Sequence, residues 1–438
     1  LGGIAAFTVS LMATRFVHYD NFSHWAVVVK SMLITNQIPS AASAIIDFKT
    51  YPLGSSAFLY YFCRVVGTSE GVMLTGQAAL LFASFYAAFG VIRDHRRFLL
   101  AAMLGFGLSL LAVFNISIRV NNLLVDFLLP ALALGAVGAA AAERTSAKRA
   151  LLAALPPLML LTIVKNTGVF FAILVYAFLF GRAARARRSD PAQKRAVWWA
   201  LLTILVSLVP LILWNVHTSL AFSGEASKFS YDFQGFGSLA LDKTAEQVRS
   251  IAALFVQTVF SLSELSTRGV VLFNVLALAA YLLARFAFHK RWKLLWALLA
   301  LDAALALYYA GILGMYIVSM PVDEALRLAG FERYASSMVL FFIGGLWMCA
   351  VSDVENSFYR QQGEHRDVKA FKSLATKNVY QIATVAFTIA ACLVLLSELN
   401  GMNSIRAEYA TTLPAKVEAM VGDRWGAERP RAIAMEGI

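Results

Sequence analysis

The chain has 438 residues, of which 59% are hydrophobic and only 15% are charged, and its formal net charge is +12. Soluble proteins carry about 25% charged residues, so this composition, with a mean hydropathy of +0.67, excludes a soluble globular protein and indicates a polytopic membrane protein. The positive charge does not indicate nucleic-acid binding, because the basic residues cluster in short loops between apolar segments.

Apolar segments recur along the chain at close to the 20 or so residues that cross a bilayer as a helix. They predict an all-α polytopic membrane protein with eleven spans. The first span is expected to be truncated, because Leu1 already lies inside an apolar stretch with no basic region before it. The predicted spans are 1–16, 70–92, 98–114, 121–142, 150–164, 168–181, 196–216, 269–288, 294–318, 336–351 and 378–397.

The basic residues predict which loops face the cytoplasm. Five loops hold 20 of the 38 Lys and Arg residues, and the positive-inside rule assigns all five to the cytoplasmic side. These loops are 93–97, 143–149, 182–195, 289–293 and 352–377.

By alternation, the remaining loops are predicted to face outward: 17–69, the tip near Lys165, 217–268 and 319–335. The apolar stretch 250–265 is predicted as a helix on the outer surface, because counting it as a span would break the alternation. This organisation gives one membrane domain, 1–397, and an outer tail, 398–438, that leaves room for a larger domain to follow.

The first outer loop contains an acid close to the membrane, Asp20, in the run His18-Tyr19-Asp20-Asn21-Phe22-Ser23-His24-Trp25. The segment 17–51 is too polar to span and too apolar to leave the membrane, so it is predicted to form one or two interfacial helices. At headgroup depth, a carboxylate can take a proton from a hydroxyl group. The alternative is that Asp20 is an ordinary helix N-cap.

Lys165 lies between two apolar arms of about 15 residues, whose far ends are predicted to be cytoplasmic. At about 1.5 Å per residue, each arm reaches roughly 22 Å, short of the roughly 30 Å hydrocarbon core. The ammonium is therefore predicted to lie recessed below the outer surface, where an unpaired charge is costly. A lysine that snorkels to the interface is the alternative.

Further charged residues are predicted near the outer ends of spans. Asp126 is predicted about two turns inside the fourth span, with a structural ion pair to Arg119 as the alternative. Glu332-Arg333-Tyr334 precedes the tenth span, where an interfacial anchor is the alternative. Asp302 lies deeper and is predicted to be a buried packing acid.

Loop alternation brings a mixed set of acids and bases to the outer face at similar depth. Phosphate recognition uses Lys or Arg, and transfer to a hydroxyl uses a carboxylate base, so the set predicts one shared polar site. The set comprises Asp20, Lys49, Arg119, Asp126, Lys165 and Arg333.

The order of these motifs resembles the GT-C glycosyltransferases, in particular the bacterial branch related to protein mannosyltransferases and the aminoarabinose transferase of lipid A. In that family an acidic pair opens the first outer loop, and a Trp and Pro region and a Lys-Pro-Pro-Leu-like stretch follow. The residues that carry the resemblance are Asp20-Asn21, Trp25, Lys49-Thr50-Tyr51-Pro52-Leu53, Arg119 to Asp126, Lys165-Asn166-Thr167-Gly168 and Arg333-Tyr334.

The resemblance implies an inverting transfer of a sugar from a polyprenyl-phosphate donor to an acceptor hydroxyl, on the outer face of a bacterial plasma membrane. It implies that Asp20 is the base, that Asp126 is a second acid, and that three cations stabilise the donor phosphate. Those cations are Lys49, Lys165 and Arg333. The implied substrate-binding residues are Asn21, His24, Trp25, Tyr51, Arg119, Glu332 and Tyr334. Acceptors implied are a glycan, a glycolipid or a protein.

A divalent cation, Mg²⁺ or Mn²⁺, is left open, with Asp20 and Asp126 as its ligands if it binds. Asn21 stands where a second acid is common in the family, and one carboxylate with an amide makes a poorer site for such a cation. The cysteines, Cys63, Cys349 and Cys392, lack the spacing of metal ligands and indicate no disulfide.

Three other functions are alternatives to sugar transfer from a polyprenyl-phosphate donor. A polysaccharide polymerase or ligase would use a lipid-diphosphate donor held mainly by arginines. A flippase or transporter would show inverted repeats and broken helices near the middle of the bilayer, and the sequence has neither signal. A non-catalytic membrane subunit is the third alternative, with Asn21 as the sign of a lost site.

Overall fold

The computed structural model describes residues 2–41, 43, 45–46, 48–222, 243–358, 371 and 373–421. Parts of four predicted segments therefore lie outside the described residues: the loops 17–69, 217–268 and 352–377 and the tail 398–438. The described residues form sixteen α-helices. In chain order they are α1 Gly2–Met12, α2 Ala26–Thr35, α3 Gly54–Val66, α4 Glu70–Ala88, α5 Phe98–Phe114, α6 Leu128–Ala142, α7 Ala147–Val164, α8 Gly168–Ser189, α9 Ala196–Ala221, α10 Ala245–Val259, α11 Leu265–Leu282, α12 Leu294–Val318, α13 Val322–Ala325, α14 Phe331–Ser357, α15 Leu374–Ala407 and α16 Leu413–Val421.

The predicted all-α polytopic membrane architecture is confirmed. Among the described residues, eight helices are long and apolar enough to cross a membrane, and three apolar helices, α1, α5 and α6, are shorter. Each of the eleven coincides with one predicted span. The eight long segments are Glu70–Val91, Ala147–Val164, Gly168–Ser189, Pro191–Ala221, Leu265–Ala287, Leu294–Val318, Phe331–Ser357 and Leu374–Ala407.

The start of the fourth predicted span is wrong. The segment 115–127 is a series of turns, and α6 begins only at Leu128. Arg119 has a left-handed backbone, with φ of 58°, and the Asn122 amide donates to the carbonyl of Ile118 and accepts from the N–H of Leu124. Such local bonds compete with helix formation. Asp126 therefore lies in this turn segment and not two turns inside a helix.

Several other elements differ in length from the predicted ones; α8, for example, continues to Ser189, beyond the predicted end at 181, and α14 covers Phe331–Ser357 rather than 336–351. The predicted outer helix 250–265 overlaps α10, which follows a capping box at Thr244 and ends earlier, at Val259. α10 is not among the apolar helices that could cross a membrane. Its position on the outer surface stays a prediction. The last span continues as α15 to Ala407, beyond the predicted end at 397.

Hydrogen bonds gather the described parts of the basic loops at one end of the bundle. The Arg144 guanidinium donates to the carbonyl of Gly90, and that of Arg182 donates to the carbonyl of Glu143. At the C-terminal end of α14, Glu355 accepts from the backbone N–H of Arg93. Since Arg333 lies at the opposite end of the same helix, the basic loops and the predicted site occupy opposite ends.

Close backbone contact between α4 and α6 builds the centre of the bundle. At Gly138 of α6, an added Cβ would lie 2.2 Å from the carbonyl oxygen of Ala87 and 2.4 Å from the Cα of Ala88. Small residues allow helices in a membrane to approach this closely. Gly138 lies near the C-terminal end of α6, so the contact holds that half of α6 against the end of α4.

We expect Gly138→Ala to destabilise the protein by about 1–3 kcal/mol, because the methyl group must displace backbone atoms in a packed interface. Thermal unfolding of the protein in detergent or lipid nanodiscs measures the effect. Gly311→Ala on α12 is the matched control, since its added Cβ would meet no atom within 4 Å. Equal unfolding temperatures for the two variants would contradict the close packing.

Candidate active site

A buried carboxylate, Asp126, lies at the centre of the candidate site. The residue is only 3% exposed, and its Oδ1 accepts a hydrogen bond of 2.8 Å from the Lys165 ammonium. Its Oδ2 lies 3.9 Å from Nε of Arg333. Burial by itself raises the pKa of Asp126, but the charges of Lys165 and Arg333 outweigh that effect and hold the pKa below its usual value. Asp126 is thus an ionised acid held between two cations.

Arg333 links this centre to the first loop. Its guanidinium donates to the carboxylate of Asp20, which directly precedes the π-helical turn Asn21–Trp25. The Asp20 side chain is 26% exposed, whereas the Asp126 side chain is 4% exposed. The two carboxylates therefore share one arginine but differ in their access to other groups.

Tyr334 supports both cations. Its ring centroid lies 5.3 Å from the Lys165 ammonium and 5.1 Å from the Arg333 guanidinium carbon. The Arg333 guanidinium also donates to the Tyr334 hydroxyl, at 3.2 Å. An aromatic ring attracts cations through its quadrupole, so Tyr334 stabilises the positive charges that face Asp126.

The local fold explains how Lys165 reaches Asp126. Lys165 is an extended residue, with φ of −160°, between the end of α7 and the start of α8. The backbone carbonyl of Lys165 accepts from the N–H of Gly168, which turns the chain into α8. Lys165 is 9% exposed. Its ammonium is paired with Asp126, and its depth below the outer surface of the membrane stays a prediction.

An aromatic cluster packs beside Asp20 in the first loop. It consists of His24, Trp25, Phe48 and Tyr51, with ring centroids 4.8 to 6.2 Å apart for the recorded pairs. His24 is 4% exposed, and among the described residues its Nδ1 has no hydrogen-bond partner. Burial lowers the pKa of His24 to about 4, against a smaller raising effect of Asp20. The imidazole is therefore neutral at physiological pH.

A cavity of about 660 Å³ opens beside the Asp20 to Arg333 pair. Its wall includes residues from 254–264 and from 320–334, which belong to two of the predicted outer loops and their helices. The charged and histidine side chains in the wall are His18, Glu264, Glu324, Arg327, Glu332 and Arg333.

Three residues predicted to contact substrate have protein partners. The Arg119 guanidinium pairs with Glu398 of α15, at 2.7 Å, and not with Asp126. Glu332 accepts hydrogen bonds of 2.7 Å from the N–H and the hydroxyl of Ser266. Asn21 accepts from the N–H of Leu123, at 3.1 Å.

Lys49 lies in the first loop close in sequence to Tyr51, and its ammonium donates to the carbonyl of Ala41, at 2.7 Å. Asp302 hydrogen-bonds Asn274 within the bundle and is half-buried, as a packing acid would be.

The sequence analysis missed three polar residues near the site. His18 accepts a hydrogen bond from the N–H of Asp20, at 3.2 Å, and lies in the wall of the cavity. Gln77 of α4 donates to the backbone of the segment 115–127, and Glu398 pairs with Arg119. Gln77 lies inside the predicted span 70–92, and Glu398 directly follows the predicted span 378–397. A polar residue at such a position is the signal that could have identified them.

The donor set does not suit a divalent cation. Both oxygens of Asp126 face a cationic side chain, and Asp20 is paired with Arg333. A metal ion at these carboxylates would face the charges of Lys165 and Arg333. Within the described ranges, no group of three or more His, Cys, Asp or Glu residues could hold a metal ion.

Fold and site together define a polytopic helical membrane protein with a network of two acids and two cations, partly buried, at one end of its bundle. No family model and no curated protein matches the chain. Among solved structures, the crystal structure of ArnT from Cupriavidus metallidurans in the apo state is similar, at 13% identity and a TM-score of 0.39, over 81% of this chain and 75% of that chain. A likeness of this extent carries no argument about activity.

The depressed pKa of His24 predicts a loss of stability in acid. His24 takes a proton near pH 6.5 in the unfolded chain but only near pH 4 in the folded protein. Between these values the unfolded state binds more protons, so the free energy of unfolding falls as the pH falls. The loss reaches about 3 kcal/mol near pH 4. It is measured as the unfolding temperature between pH 7 and pH 4.

His24→Phe should remove most of this dependence, because phenylalanine cannot take a proton and fits an aromatic cluster. His95→Gln, at an exposed histidine in a basic loop, is the control and should keep the parental pH profile. An unchanged profile in His24→Phe would show that another group causes the acid sensitivity.

Proposed function

We propose that this protein is an inverting glycosyltransferase that moves a sugar from a polyprenyl-phosphate donor to an acceptor hydroxyl. The observation that carries the proposal is the network itself: Arg333 joins a partly accessible acid, Asp20, to a buried acid, Asp126, which also holds Lys165. A lipid-linked phosphate requires cations at the edge of a membrane, and a hydroxyl acceptor requires a carboxylate. The network supplies both.

Lys165 and Arg333 bind and stabilise the donor phosphate in this proposal. Negative charge grows on the phosphate as its bond to the sugar breaks, and fixed cations in a site poor in water stabilise that charge most strongly. Among the described residues, the buried Nε of Arg333 makes no hydrogen bond. This N–H faces Oδ2 of Asp126, so in the proposal the phosphate approaches the terminal nitrogens of the guanidinium, one of which donates to Asp20. Lys49 is a third cation of the proposed donor site.

Asp20 is the base, because it is the more accessible of the two acids. The acceptor hydroxyl gives its proton to the Asp20 carboxylate, and its oxygen forms a bond to the anomeric carbon. The bond from that carbon to the phosphate oxygen breaks on the opposite face, so the lipid phosphate leaves and the configuration inverts. A phosphate on Arg333 competes with Asp20 for the guanidinium, which frees the carboxylate to act.

Asp126 holds Lys165 and Arg333 in place as the second acid. The 660 Å³ cavity beside Arg333 provides room for a sugar or its acceptor. We propose that Asn21, His24, Trp25, Tyr51, Glu332 and Tyr334 shape the sugar and acceptor sites.

The proposed location is the outer face of a bacterial plasma membrane, and the proposed role is modification of the cell envelope. Support for the location comes from the gathering of the described basic loops at the other end of the bundle, which the positive-inside rule assigns to the cytoplasm. The acceptor is a glycan, a glycolipid or a protein.

Asp20→Asn should lower the rate of sugar transfer by about 10²- to 10⁴-fold, because an amide cannot accept the acceptor proton. The assay offers the purified protein in lipid a panel of radiolabelled polyprenyl-phosphate sugars, with membrane extract as the acceptor source. Asp302→Asn is the matched control and should transfer at the parental rate. Near-normal turnover by Asp20→Asn would exclude Asp20 as the base, and no transfer by the parent from any donor would overturn the proposed function.

Lys165→Met should raise the donor KM and lower kcat, with a loss of about 10²- to 10³-fold in kcat/KM, because a charge on the leaving phosphate loses its partner. Lys148→Met, at a lysine near the opposite end of the bundle, is the control. If Lys165→Met kept the donor KM and rate of the parent, the ammonium would have only a structural role. Thermal unfolding of each variant separates loss of folding from loss of donor use.

A further inference from the structure

The turn segment 115–127 is held by side chains from three other parts of the molecule. Gln77 of α4 donates to the carbonyl oxygens of Asn122 and Leu124, at 3.1 and 3.0 Å. Asn21 of the first loop accepts from the N–H of Leu123. These contacts satisfy backbone groups that have no helix or sheet partner, and such groups are costly when buried. They define the path of the chain just before Asp126.

The third contact comes from the last long helix, α15. Its 34 residues extend about 51 Å at about 1.5 Å per residue, more than the roughly 30 Å hydrocarbon core. Near the C-terminal end of α15, Glu398 is 4% exposed. One carboxylate oxygen accepts from the Arg119 guanidinium, at 2.7 Å, and the other accepts from the N–H of Val120, at 3.2 Å. Both bonds fasten the same turn.

Gly401 makes room for this contact, one turn further along α15. A Cβ at position 401 would lie 2.3 to 2.6 Å from the guanidinium atoms of Arg119, so the guanidinium packs directly on the helix backbone. Arg119 has a left-handed backbone, which a residue with a Cβ adopts at a cost unless its surroundings hold it there. Glu398 stabilises this conformation by pairing with Arg119, and Gly401 leaves space for the guanidinium.

We propose that Glu398 is a positioning residue, which acts through Arg119 to keep Asp126 between Lys165 and Arg333. The inference deepens the proposed glycosyl transfer and rests on it for the kinetic effect. Glu398 and Gly401 do not touch the reacting groups. They fix Arg119 and Val120, in the segment that leads to Asp126, and a displacement of about 1 Å in a group that holds the site can cost about 10²-fold in rate.

Two variants test the contact between α15 and Arg119, one by removing a charge and the other by adding a methyl group. Glu398→Gln keeps the shape of the side chain and an acceptor for Val120 but removes the charge that pairs with Arg119. Gly401→Ala keeps every charge but forces the Arg119 guanidinium to move. The controls are Glu418→Gln, at a glutamate that pairs with Arg15, and Gly314→Ala, whose added Cβ would meet no atom within 4 Å.

Amide hydrogen exchange of the purified, donor-free protein tests whether Glu398 and Gly401 hold the turn segment 115–127. Both variants should exchange faster than the parent in peptides covering 115–127, while the basic-loop peptides exchange at the parental rate. The controls should match the parent throughout. Parental exchange of 115–127 in both variants would overturn the proposal, whether or not the protein transfers sugar.

The kinetics of sugar transfer test whether this contact also affects the reaction. Each variant should lower kcat on the order of 10- to 100-fold, and the double variant should lose no more than the worse single one, because both changes break the same link. Additive losses, or parental kcat in variants with faster exchange, would overturn the positioning role. If the parent itself transfers no sugar, the proposed function fails, and hydrogen exchange alone decides whether Glu398 holds the turn.

Discussion

The ion pairs of Asp126 are the constraint on which the site depends. A carboxylate that is 3% exposed within a membrane protein is strongly disfavoured unless cations compensate its charge. Lys165 and Arg333 provide that compensation from two different parts of the chain. Their need to meet Asp126 fixes the end of α7 and the start of α14 against the turn before α6, so the requirement for charge balance also assembles the site.

The two acids differ because only one of them is enclosed. Asp126 is held by both cations, whereas Asp20 shares Arg333 and keeps about a quarter of its side chain accessible. In the proposed reaction this difference separates the acid that organises the cations from the acid that accepts the proton. In the same proposal Arg333 connects the two tasks, because a phosphate bound to its guanidinium would release Asp20.

Much of the polar structure around the site serves to hold non-helical backbone. The segment 115–127 carries no regular ladder of hydrogen bonds, and side chains from α4, the first loop and α15 replace it. This explains why Asn21 and Arg119, both predicted to bind substrate, are found with backbone or protein partners. A polar residue near a membrane site can support the backbone as readily as it can bind a ligand.

The amino-acid sequence by itself determined the eleven apolar segments, the end of the bundle at which the basic loops gather, and the charged residues that could form one site, because hydropathy and loop charge are local properties of the chain. The roles of those residues stay predictions. Tertiary structure alone decided which acid meets which cation: Arg119 is seven residues from Asp126, yet it pairs with Glu398, while Lys165 and Arg333 reach Asp126 from distant segments. It also decided how the non-helical segment 115–127 is held, because the Gln77, Asn21 and Glu398 contacts that add to the local Asn122 bonds come from elsewhere in the chain.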